Sequence, residues 1–260
     1  MAGPLLRAAW LRERLGDSGL SVADCRWRLG DPDAGVSQYL AGHVPGAAFL
    51  DVDRDLSAPP GDAGRHPLPA VADFEAAARR AGISTGDVVV AYGEGAPRLW
   101  WLLRHFGHER AAVLDGGLAA WDGPLRPGAE EIKPGDFTAR PRGDDVVTAD
   151  EIVATRDLVL LDARARERYR GESEPIDPVA GHIPGARNLP FEEIAPGGRF
   201  LPVEELRERL PPGEFVAYCG SGVTSCTVLL AAEVAGAGPG RLYPGSWSEW
   251  SRRGLPAERQ

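Results

Sequence analysis

Residues 41–53 read AGHVPGAAFLDVD, and residues 180–191 read AGHIPGARNLPF. Working outward, each copy meets the same neighbours in the same order. VADCR (22–26) precedes the first and LLDAR (160–164) precedes the second. VVVAYGEG (88–95) and EFVAYCGSG (214–222) follow, then LDGGLAAW (114–121) and YPGSWSEW (243–250). Four matching blocks in one order are an internal repeat, and their unequal spacing assigns the length differences to loops. The chain reads as two copies of one fold, with domains at 1–122 and 146–260. The Pro-, Gly- and charge-rich stretch 123–145 reads as a linker.

Within each copy, short apolar runs alternate with helical periodicity. Strands are predicted over 20–24, 47–51, 87–92 and 111–114, then over 158–162, 186–189, 214–218 and 240–243. Helices are predicted over 70–81, 97–106, 203–210 and 224–236. This is an α/β pattern, with a mainly parallel sheet flanked by helices in each domain. Sites in such sheets form at the carboxyl ends of strands.

Composition narrows the chemistry. Of 260 residues, 43% are hydrophobic and 26% charged, as in globular proteins. The net charge of −9 supplies no basic field, so no nucleic-acid partner is expected. No apolar run is long enough for a membrane helix, and the first residues lack the apolar core of a secretory signal. Lys133 is the only lysine and falls in the linker stretch, which argues against Schiff-base chemistry. The other basic residues are arginines, whose planar fork suits anions. Cys25, Cys219 and Cys226 show no C-x-x-C spacing, which fits neither a disulfide scaffold nor a zinc site. A reducing, cytoplasmic compartment is the expectation. The histidines lack metal-ligand spacing, and neither metal nor cofactor is expected.

Cys219 carries the most chemical information. It follows the apolar run FVAY and precedes Gly220-Ser221-Gly222-Val223, with a helical pattern from Thr224. Two glycines permit a cupped backbone whose N–H groups converge, with a helix N-terminus behind them. A thiol there has its thiolate stabilised. The alternative is a buried, inert cysteine before a Gly-rich turn. The repeat favours the first reading: the first copy has Gly93 where the second has Cys219, so the fold does not require that sulfur.

On GHVPGA, GHIPGA, DGGLAAW, GSWSEW and CGSGVT, the chain resembles the tandem-domain rhodanese sulfurtransferases of the 3-mercaptopyruvate/thiosulfate type over nearly its whole length. The resemblance implies a catalytically silent first domain and a second domain whose Cys219 carries sulfur as a persulfide. The donor is then a small sulfur-bearing anion, and the acceptor cyanide, a thiol or a thioredoxin-like protein. It places Gly220, Gly222, Val223 and Thr224 around the substrate. It also distinguishes donors. Thiosulfate enzymes typically read Cys-Arg-Lys-Gly-Val-Thr and mercaptopyruvate enzymes Cys-Gly-Ser-Gly-Val-Thr, the form found here. A Ser-His-Asp arrangement handling the donor's thiol proton then maps to Ser221, His66 and Asp53. Arg168, in DARARERYRG (162–171), maps to the arginine that grips the donor anion. A second arginine expected after Glu-Pro is absent, Ile176 and Asp177 standing there, with Arg164, Arg170 or Arg187 as substitutes.

Bland readings stand beside these. His66 also reads as a loop histidine beside Pro67, and Arg168 as part of a solvated helix face. His43, His182, Asp24 and Asp162 recur in both copies and read as structural, Trp100, Trp101, Trp121, Trp247 and Trp250 as core and domain-interface packing, and Cys226 as packed. A cysteine phosphatase would need arginine where Ser225 stands. A thiosulfate-preferring enzyme and a non-catalytic rhodanese binding module are the remaining alternatives.

Overall fold

The computed structural model of the chain describes residues 3–155 and 157–260. They fall into two compact units. Unit 1 runs to Ala58 and resumes over Pro69–Arg142; unit 2 comprises Pro59–Leu68 and Gly143–Gln260. The stretch read as a linker, 123–145, therefore divides near its end, and most of it is fixed on unit 1. Phe137 is buried there, with its ring 6.0 Å from that of Phe74 and 5.8 Å from His108. Proline and glycine mark irregular backbone, and one buried aromatic is enough to anchor it.

Unit 1 contains β1 (Leu5–Leu6), α1 (Ala8–Arg14), β2 (Leu20–Asp24), α2 (Ala34–Ala41), β3 (Ala47–Phe49), α3 (Val71–Arg80), β4 (Val88–Tyr92), α4 (Ala96–His105) and β5 (Ala111–Leu114). Its sheet is parallel, in the order β1-β5-β4-β2-β3. Unit 2 contains α5 (Ala149–Ala154), β6 (Leu160–Asp162), α6 (Arg166–Arg170), β7 (Arg187–Asn188), α7 (Phe191–Ile194), α8 (Val203–Arg209), β8 (Phe215–Tyr218), α9 (Ser225–Ala235), β9 (Gly240–Leu242) and α10 (Ser246–Arg252). Its sheet is also parallel, in the order β7-β6-β8-β9. Matching β2 to β6, β3 to β7, β4 to β8 and β5 to β9 gives one strand order in both units. The central strands β4 and β8 are apolar throughout because helices cover both faces of a parallel sheet.

The recurring residues build the same frame twice. Asp24 ends β2 and takes a forked bond from Arg26, whose Nη2 also donates to the Gly42 carbonyl at 2.8 Å. Asp162 ends β6 and takes the same fork from Arg164, whose Nη2 reaches the Gly181 carbonyl at 2.7 Å. Such buried pairs persist only where every donor and acceptor is matched, and here the backbone completes the set. His43 stacks on Tyr39 at 4.0 Å and His182 on Tyr169 at 3.8 Å, each with Nδ1 on that tyrosine's own carbonyl. The histidines of the two GHxPGA motifs thus orient a turn. Among the described residues no helix is long and apolar enough to cross a membrane.

Candidate active site

Strand β8 ends at Tyr218 and delivers Cys219 to the carboxyl edge of the unit 2 sheet. The loop that follows is tied down from both sides. The Cys219 N–H donates to Ser246 Oγ at 3.1 Å, and its carbonyl accepts from Trp247 N at 3.0 Å. The Gly220 carbonyl accepts from Ser248 N at 2.9 Å. Gly222 is required: its φ is +77°, and a Cβ there would lie 2.5 Å from the Pro244 carbonyl oxygen. This conformation turns the Gly222 N–H onto Cys219 Sγ at 3.1 Å.

Burial by itself would push the Cys219 thiol up. The Thr224 side chain and the backbone N–H groups of Ser221 and Ser225 favour the charged sulfur and outweigh that effect, so the pKa falls below the ordinary thiol range. Cys25 differs. It is fully buried one residue beyond β2, and burial together with Asp24, Asp55 and Glu94 pushes its thiol well up. Cys226 is also buried and donates to the Gly222 carbonyl at 3.4 Å. Alkylation by iodoacetamide should therefore separate the three. Cys219 should react first, at a rate level at high pH and falling only as pH drops through its depressed pKa, because the fold favours the thiolate. A Cys219 midpoint at or above about 8.5, the ordinary thiol value, would contradict this stabilisation.

Unit 1 has no equivalent sulfur at the end of β4. Gly93 has φ of +97°, and a Cβ there would lie 2.5 Å from Arg26 N. That backbone is closed to a cysteine side chain.

Residues 59–68, read from sequence as part of the first domain, instead bring two side chains to the Cys219 loop. Ser221 Oγ and His66 Nδ1 are 2.6 Å apart, and both residues are buried. Arg65 and Arg168 stand over Gly220: a Cβ on Gly220 would lie 3.2 Å from Arg65 Nη2 and 3.4 Å from Arg168 Nη1. Arg168 lies on α6 and is more than a solvated face, since its side chain is 16% exposed and bonds Glu174 and Asp177. Arg65 was missed by sequence reasoning, although it immediately precedes His66. Of the substitutes considered, Arg164 serves the buried frame, Arg170 is half exposed with Glu172 as partner, and Arg187 is exposed on β7. Asp53 lies in unit 1, where it accepts the Trp27 indole N–H at 3.1 Å. Among the described residues no group of His, Cys, Asp and Glu is placed to hold a metal ion.

Comparison with known proteins accounts for both copies. The rhodanese-like domain family matches residues 7–123 and again 145–253. A Pseudomonas aeruginosa protein described as a probable 3-mercaptopyruvate sulfurtransferase is 46% identical over 95% of this chain and 94% of its own. The chain belongs to the tandem rhodanese sulfurtransferase family. Another relative is the 3-mercaptopyruvate sulfurtransferase of Escherichia coli K12, 37% identical over 96% of both chains. The crystal structure of SseA from Escherichia coli, titled a 3-mercaptopyruvate sulfotransferase, superimposes with a TM-score of 0.82 at 34% identity, covering 95% of this chain and 100% of that one. The rhodanese motifs GHVPGA and GHIPGA are the two turns held by His43 and His182, and the loop CGSGVT is the cup around Cys219.

Proposed function

We propose that this rhodanese is a sulfurtransferase that takes sulfur from 3-mercaptopyruvate onto Cys219 and passes it from the resulting persulfide to a thiol, a thioredoxin-like dithiol or cyanide. The Ser221–His66 hydrogen bond beside the Cys219 nest carries this reading. The Cys219 thiolate attacks the donor sulfur, forming the S–S bond as the donor's C–S bond breaks. The electron pair of that bond goes to carbon, which needs a proton, while the donor's thiol has one to lose. Ser221 and His66 are placed to move that proton from sulfur to carbon, giving pyruvate. Thiosulfate would release sulfite with no proton transferred, so this pair would contribute nothing to it.

Arg65 and Arg168 hold the donor's carboxylate above Gly220, and the loop donors hold the persulfide anion. Unit 1, lacking a thiol at Gly93, is the silent copy. The three free cysteines suit a reducing compartment such as the cytoplasm.

Parallel steady-state kinetics with the two donors test this reading. Higher kcat/KM is expected with 3-mercaptopyruvate; a preference for thiosulfate overturns the donor assignment. In the same assay Arg168→Ala should lower kcat/KM for 3-mercaptopyruvate roughly 10- to 150-fold, mostly through KM, as loss of a charged hydrogen bond of about 1.5–3 kcal/mol requires. An unchanged KM would return Arg168 to a structural role.

A further inference from the structure

Asp177 stands where sequence reasoning looked for a second anion-binding arginine, and it does not face the donor as a bare repelling charge. Its side chain is 2% exposed. Oδ1 accepts from Arg65 Nη1 at 2.8 Å, while Oδ2 accepts from Arg65 Nη2 at 3.4 Å and Arg168 Nη2 at 3.2 Å. One carboxylate therefore joins the two guanidiniums that stand over Gly220. The turn that presents it is itself fixed, because Glu174 Oε1 accepts from the backbone N–H groups of Ile176 and Asp177 at 3.2 and 3.1 Å.

The charges around this pair are matched one to one. Arg164 is held by Asp162 and Glu174, and Arg168 by Glu174 and Asp177. The ion-pair partner of Arg65 among the described residues is Asp177. Three guanidiniums meet three carboxylates. Two unmatched guanidiniums would present two positive charges to the donor, suited to a dianion. With Asp177 between them they present fewer, in a place where burial makes each charge count for more.

We propose that Asp177 is a built-in counter-ion that positions Arg65 and Arg168 over Gly220 and sets the charge they present, so that the pair takes a singly charged sulfur donor in preference to a doubly charged one. This rests on the sulfurtransferase reading above. It assigns donor selection to two places: the Ser221 loop at the reacting sulfur, and Asp177 at the anion's far end.

The test is Asp177→Asn, which keeps one acceptor oxygen and removes the charge, compared with Asp177→Glu, which keeps the charge. Both donors are measured, and Cys219 is checked for persulfide by mass spectrometry. Asp177→Asn should raise the thiosulfate to 3-mercaptopyruvate ratio of kcat/KM about tenfold, through KM, as a full charge acts twice on a dianion. Asp177→Glu should keep the ratio within about threefold of wild type. An unmoved ratio in Asp177→Asn, or an equal fall in kcat with both donors, overturns the proposal. If neither donor leaves a persulfide on wild-type Cys219, the sulfurtransferase reading fails instead.

A second measurement needs no variant to fold. Sulfate and methanesulfonate share a tetrahedral shape and differ by one charge. As competitors of the donor on the wild-type protein, sulfate should bind no more tightly than methanesulfonate. A sulfate inhibition constant more than about tenfold lower would mean that both guanidiniums act unmatched, and the proposal would fall.

Discussion

Cys219→Ser abolishes sulfur transfer while leaving the fold in place: this is the largest effect expected from any single substitution. A serine hydroxyl is not ionised at neutral pH and cannot hold a sulfane sulfur as a persulfide. The loss should therefore reach about 10⁴-fold or more, on the scale seen when a covalent nucleophile is removed. Stability should barely move. The loop at 219–222 is held by the Cys219 N–H on Ser246, the Cys219 carbonyl on Trp247 N and the Gly220 carbonyl on Ser248 N, none of which uses the sulfur. A serine oxygen can still accept from the Gly222 N–H that now points at Sγ. Mass spectrometry of the wild type after donor treatment should show one added sulfur, on the peptide containing Cys219. Cys25 and Cys226 are internal controls, since both are buried and the Cys25 thiol is pushed well up. Persulfide on either of them, or residual turnover above background in Cys219→Ser, would refute the assignment.

How far the sequence could be read followed the range over which each signal acts. The repeat was legible because Asp24 and Asp162, Tyr92 and Tyr218, and His43 and His182 serve a frame that both units need. Short-range turn chemistry at Gly222 and the strand before it placed Cys219 at a sheet edge from the letters alone. The short elements β1, α2, α6 and α7 escaped notice because their few residues show no clear period. Spacing gave His66 no distinction from a loop histidine; family resemblance alone paired it with Ser221, 155 positions away. The assignment of Pro59–Leu68 to unit 2 could not be seen either, because nothing local marks a segment whose partners lie more than a hundred residues on. Arg65 was lost for that reason. Asp177 could be noticed only as a residue standing where a second arginine was expected; its two arginine partners come from positions 65 and 168, too far along the chain for the sequence to join them.

Ser221→Lys should reverse the donor preference, shifting the 3-mercaptopyruvate to thiosulfate ratio of kcat/KM by about a hundredfold or more. Two effects add. Removing the hydroxyl breaks the 2.6 Å contact with His66, and with it the path for the donor's thiol proton. General acid–base assistance of this kind is worth about 10²–10⁴-fold, and it is lost only for the donor that must move a proton. The new ammonium then sits two residues from Cys219 and adds a cation beside the reacting sulfur, where the loop itself offers a dianion only neutral donors. That gain belongs to thiosulfate. Ser221→Ala separates the two effects: it should lower 3-mercaptopyruvate turnover by the first factor and leave thiosulfate turnover nearly unchanged. The measurements are kcat and KM for each donor in wild type and both variants. If Ser221→Ala slows both donors equally, the hydroxyl supports the loop and moves no proton. If Ser221→Lys leaves the ratio where it was, the charge at this position does not choose the donor, and selection would have to come from the Arg65–Asp177–Arg168 cluster alone.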